Sequence, residues 1–128
     1  MSSYIILESL CDSILKLNKS IQSVAVINNH GRIMEKISRI KFSKQFPDHL
    51  NELFCMSCVL QISMGKDFDE NYGSINYYIS GRSNLTIITF PLDENVLLIT
   101  ANKNTSPITL ARKTISIIEN YVKHFPHN

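Results

Sequence analysis

The chain has 128 residues, of which 44% are apolar and 19% charged, with a formal net charge of +2. That length makes a single domain, residues 1–128, able to bury a core without disulfide or metal support. The balance is that of a soluble globular protein, and so small a charge gives no argument for nucleic acid or a membrane as partner. Three cysteines are an odd number, and two of them fall in an apolar stretch. Reduced, buried thiols explain that better than a disulfide framework. The first residues, MSSYIILESLCDSILKLNK, place an acid and a cysteine where a signal peptide has a clean apolar segment. No run reaches the roughly 18 apolar residues of a membrane span. The expectation is a soluble, cytoplasmic chain.

Residues 3–18 read as a helix, because Leu7, Leu10, Ile14 and Leu17 recur at helical spacing behind Ser2 or Ser3 as a cap. Ile21 to Asn28 is a strand, and Asn28-Asn29-His30-Gly31 is turn chemistry that tolerates positive φ. Arg32 to Phe42 is the returning strand. Its poor alternation and its charges suit a sheet edge. After the helix that begins at Pro47 comes a charged connection, KDFDENY, and then a strand from Gly73 to Ser80. Gly81 and Asn84 turn the chain into Leu85 to Phe90, where Pro91 is expected to end or bulge the strand. Asp93-Glu94-Asn95 leads into Val96 to Ala101, a nearly continuous apolar run of central-strand type. Thr105-Ser106-Pro107 opens the last helix, with Ile108, Ala111, Ile115, Ile118, Val122 and Phe125 as its stripe.

The middle helix, PDHLNELFCMSCVLQISM, carries no charge from Leu53 to Met64. Leu50, Leu53, Phe54, Ser57, Leu60 and Met64 lie along one face, with Cys55, Met56, Val59 and Ile62 roughly opposite. One cover is expected from the protein's own sheet and the other from a second copy. Leaving a larger apolar side chain wet forgoes roughly 1.5–3 kcal/mol, and several such losses rival a domain's net stability of about 5–15 kcal/mol.

In order the elements are helix, two strands, helix, three strands, helix. On SVAVINNHGRIMEKI, the apolar middle helix and LTIITFPLDENVLLITANKNTSP, the whole chain resembles the roadblock/LC7 family, a branch of the profilin-like folds. MGKDFDENYGSINYYI and ITFPLDENVLLIT are also similar to stretches of small archaeal proteins of this type. The resemblance implies an α+β, three-layer α/β/α domain. Its antiparallel sheet would have five strands in order 2-1-5-4-3, with the middle helix on one face and the terminal helices on the other. It also implies a homodimer built from the middle helix and the next edge strand, here residues 47–64 and 73–80. The expected contact residues are Cys55, Met56, Val59, Ile62, Ser63, Ile75, Tyr77 and Tyr78. The implied work is that of a non-enzymatic scaffold or regulator, with a small GTPase or another signalling protein as partner. No residue here maps onto a specific GTPase-contacting motif.

Other chemistry is weaker. Cys55-Met56-Ser57-Cys58 is a C-x-x-C, but it sits about two turns into its helix, away from the amides that acidify redox thiols. It supplies two zinc ligands where about four are needed, and Cys11 and His49 lack motif spacing. The basic group Arg32, Lys36, Arg39, Lys41 and Lys44 either protects a strand edge or meets an acidic partner or phosphate. Asp67, Asp69 and Glu70 lack the spacing of a calcium loop. Neither a phosphate loop nor a dinucleotide fingerprint is present. Tyr72, Tyr77 and Tyr78 are not interleaved with basic residues, so base stacking is not indicated. No cofactor, nucleic-acid or membrane role is expected. Two alternatives of other classes stand beside the interaction module: a PAS- or GAF-like small-molecule sensor, and a zinc- or thiol-dependent protein.

Overall fold

The computed structural model describes residues 3–39 and 48–124. Helix α1 (Ser3–Leu15) leads into strands β1 (Ile21–Ile27) and β2 (Ile33–Ser38), followed by helix α2 (Asp48–Gly65). A 3-10 turn (Lys66–Phe68) and one turn of helix, α3 (Asp69–Tyr72), connect to β3 (Tyr78–Gly81), β4 (Leu85–Leu92), β5 (Asn95–Asn102) and α4 (Pro107–His124). The antiparallel sheet runs β2-β1-β5-β4-β3, as expected, with helices on both faces. The apolar run of β5 is at the centre and the charged β2 is at an edge.

Alternation along the strands sends residues to two separate cores. Val24, Val26, Ile88, Phe90, Leu97 and Ile99 meet Leu10, Cys11 and Ile14 of α1 and Leu110 and Ala111 of α4. On the other face Ala25, Ile27, Ile87, Val96 and Leu98 meet Cys55, Cys58, Val59 and Ile62 of α2. The α4 stripe centres on Leu110, Ala111 and Thr114, whereas Ile108 and Val122 are exposed; Phe125 lies outside the described residues. The Ser106 carbonyl accepts from the Leu110 amide at 3.1 Å, placing Ser106 as N-cap ahead of Pro107.

Turn chemistry acts as the residue types require. Asn28 Oδ1 accepts from the His30 and Arg32 amides at 2.9 and 3.0 Å, and Gly31 takes φ +78°. A side chain there would press on Met56, whose Cα would lie 3.2 Å from an added Cβ, so glycine lets the hairpin approach α2.

Pro91 does not stop β4, which runs on to Leu92. Asp93 and Glu94 form a two-residue loop between the paired Leu92 and Asn95, so the next pair, Pro91 and Val96, is one that exchanges no hydrogen bonds. The ring nitrogen therefore points toward β3. There the missing N–H takes effect: β3 pairing ends at Tyr78 opposite Thr89, one residue short of Phe90 and two short of Pro91. Residues 73–77 lie outside the ladder, so the strand expected from Gly73 is only Tyr78–Gly81.

Candidate interaction surface

The inner face of α2 is formed by its compact apolar residues. Cys55, Cys58, Val59 and Ile62 are at most 7% exposed, all against the protein's own sheet. Met56 lies under the first hairpin. These positions are consumed internally, which corrects the expectation that Cys55, Met56, Val59 and Ile62 face a second copy. Two apolar stripes on one helix give periodicity nothing to choose between. The contacts choose, and they turn the other stripe outward.

That outward stripe is Leu53, Leu60 and Met64, exposed by 64%, 48% and 66%. Between them is the small Ser57, whose hydroxyl donates to the Phe54 carbonyl at 2.6 Å. Beyond the helix end the apolar line continues through exposed Phe68 and Tyr72, their ring centroids 6.4 Å apart. Such a line on a surface is what marks an interaction site.

The strand residues divide between the faces. Tyr77 packs in the α1/α4 core, tilted against Phe90 at 6.4 Å between centroids. Tyr78 packs on the α2 side. The Tyr78 hydroxyl and Ile75 Cδ1 sit so close to Gly65 that a Cβ there would collide with both. Ser63 is exposed. Among the described residues β3 pairs with β4 alone, which leaves its outer backbone edge without a strand partner.

Between α2 and β3 runs a groove of about 470 Å³, with Phe54, Leu60 and Met64 on one wall, Tyr78 and Arg82 on the other, and Ile87 and Thr89 from β4. Thr89 is 3% exposed, and its hydroxyl has no hydrogen-bond partner among the described residues.

The basic edge proves to be mixed in purpose. Arg39 Nη2 donates to the Leu15 carbonyl at 2.6 Å and Nε to the Ile21 carbonyl at 3.0 Å. Its guanidinium thus serves an orphan carbonyl at the end of α1, where positive charge also suits the helix dipole, and ties it to the start of β1. Arg39 is a structural tie, which corrects its assignment to a partner-binding edge. Arg32 and Lys36 are exposed, and Lys41 lies outside the described residues.

The thiols are not built for redox work. Burial pushes Cys58 up to about 11, with Cys55 adding to the rise and the neighbouring Ser57 opposing it. Burial also raises Cys55, against the nearby Lys36 charge. Burial and then Glu35 push Cys11 up to about 12. Cys11 lies across the sheet from the other two, so the three share no site. Among the described residues no group of three or more His, Cys, Asp or Glu is placed to hold a metal ion, and no helix is long and apolar enough to cross a membrane.

No protein-family model matches the sequence, and no curated protein matches it. Solved structures do match in shape. The roadblock/LC7 domain from Streptomyces avermitilis superposes with a TM-score of 0.68 at 8% identity, covering 92% of this chain and 95% of that one. Its fold is that of the roadblock/LC7 domains. MglB from Myxococcus xanthus gives 0.72 at 10% identity, over 97% of this chain and 90% of that one. Profilin II from Acanthamoeba castellanii gives 0.62 at 12% identity, over 91% and 97%, which places the roadblock fold within the wider profilin-like group. At such identities the likeness is one of backbone architecture.

Proposed function

We propose that this chain is a non-enzymatic interaction module that works as a homodimer, a scaffold or regulator whose further partner is a small GTPase or another signalling protein. The observation that carries the dimer is the exposed line Leu53, Leu60 and Met64 beside the open edge of β3. Covering both at once satisfies an apolar stripe and a strand edge, the two surface features that soluble proteins avoid leaving bare. Ser63 and Tyr78 border that surface and belong to the proposed contact. A roadblock-fold neighbour, MglB, is known in a tetrameric arrangement, which supports self-association as a habit of the fold. The GTPase link rests on the roadblock resemblance. Exposed Arg32 and Lys36, at the opposite edge of the sheet, are the proposed surface for an acidic partner.

The groove, with its apolar walls and a few polar groups, favours a small-molecule sensor. Against it, α2 is a single unbroken helix of 18 residues, where sensor domains of that kind break this segment into short helices around a chamber. The test is the assembled mass of the double variant Leu60→Glu, Met64→Glu beside the wild type. The expected result is two chains for the wild type and one for the variant, with unchanged circular dichroism. A wild type that sediments as one chain at tens of micromolar overturns the reading.

A further inference from the structure

The groove and the acidic connector fit one another across two copies. We infer that, in the homodimer proposed above, residues 66–72 of each copy dock the Phe68/Tyr72 pair into the α2/β3 groove of the other. The inference rests on that dimer and adds the segment that locks it.

Phe68 is 57% and Tyr72 86% exposed, so both rings present most of their surface to solvent. The same seven residues carry Asp67, Asp69 and Glu70 against one lysine. The groove offers the complement. Its walls are largely apolar, Arg82 on its β3 side makes no ion pair among the described residues, and the Thr89 hydroxyl within it has no partner. A guest should therefore be apolar in body, acidic at its margin and able to bring one polar atom inside. An aromatic pair flanked by acids, with a phenol at its tip, has each of these.

Symmetry brings the two together. Tyr78 sits against Gly65, so β3 starts at the C-terminal end of α2. The groove is walled by α2 from Phe54 to Met64 and by β3 with Arg82 just beyond its end, so with Tyr78 at the C-terminal end of α2 we place Arg82 toward the N-terminal half of α2. In an isologous pair whose β3 edges meet antiparallel, the two α2 helices also run antiparallel. Each connector, leaving the C-terminal end of its own α2, then emerges beside the Arg82 of the other copy.

The test is a charge-swap pair in the full chain. One variant is Arg82→Glu, and the other is Asp67→Lys with Glu70→Lys. Each alone repeats a like-charge contact twice per dimer, and its dissociation constant should rise at least about tenfold. Mixed, the two restore attraction at both contacts, so native mass spectrometry should show heterodimer well beyond its statistical share. Tyr72→Ala, at an exposed position that leaves the fold intact, should also weaken the dimer by about fivefold or more. A wild-type dimer whose variants all dissociate as it does, or a mixture with no preference for the heterodimer, overturns the docking and leaves the dimer standing. A monomeric wild type overturns both.

Discussion

The sheet has two faces, and they are finished differently. The side under α1 and α4 is closed. Two helices cover it, and the Tyr121 hydroxyl bonds Ser9 and Ser13 across them at 2.8 and 2.9 Å. Thr114, fully buried in α4, donates to the Leu110 carbonyl at 2.8 Å, and Arg39 ties down the end of α1. Among the described residues the side under α2 has one long helix, which leaves an apolar stripe, a groove and a strand edge uncovered. Tyr121 and Thr114 on the closed side have hydrogen-bond partners, whereas the Thr89 hydroxyl on the open side has none among the described residues. Stability is invested on one face and availability on the other.

The largest expected effect lies in the closed core. Phe90 is 1% exposed, so Phe90→Ala should lower unfolding free energy by about 3–5 kcal/mol in urea titrations. Leu60→Ala on the open side should change the stability of the isolated subunit by no more than about 0.5 kcal/mol. Similar losses at the two positions would remove the distinction. Next in size is Arg39→Ala, which strands carbonyls at Leu15 and Ile21 and should cost about 1–3 kcal/mol. Lys36→Ala should be close to neutral by the same titration.

Titration of the thiols gives a smaller effect. Cys11 and Cys58 are held near 12 and 11, above an ordinary value of 9.0. Between those limits the folded chain binds more protons than the unfolded one, so stability is complete below about pH 9 and falls as pH rises toward the folded values. Urea midpoints at stepped alkaline pH should therefore decline, and less steeply in Cys11→Ala. A flat profile contradicts the burial of these groups. At neutral pH all three thiols should react slowly with thiol reagents until the chain is unfolded.

Much of the fold was legible because local signals and burial agreed. The apolar run of β5 marked a central strand, and Thr105-Ser106-Pro107 marked the start of α4. What escaped depended on partners far along the chain. Arg39 reads as one more edge charge until Leu15, 24 residues away, is placed beside it. Pro91 reads as a stop for its own strand, yet it limits the neighbour instead, since its missing N–H faces β3. The two apolar stripes of α2 were both visible, but choosing the inner one required the packing of Met56 against Gly31 and of Cys55, Val59 and Ile62 on the sheet. The stripe expected to face outward is therefore the one the sheet covers, and Leu53, Leu60 and Met64 are the exposed one.

If a second copy covers the open face, amide hydrogen exchange at rising protein concentration will register it. Protection of Tyr78–Gly81 should increase with concentration, while the other edge, Ile33–Ser38, should not change. Exchange at Tyr78–Gly81 that stays the same from dilute to concentrated solution would contradict the account.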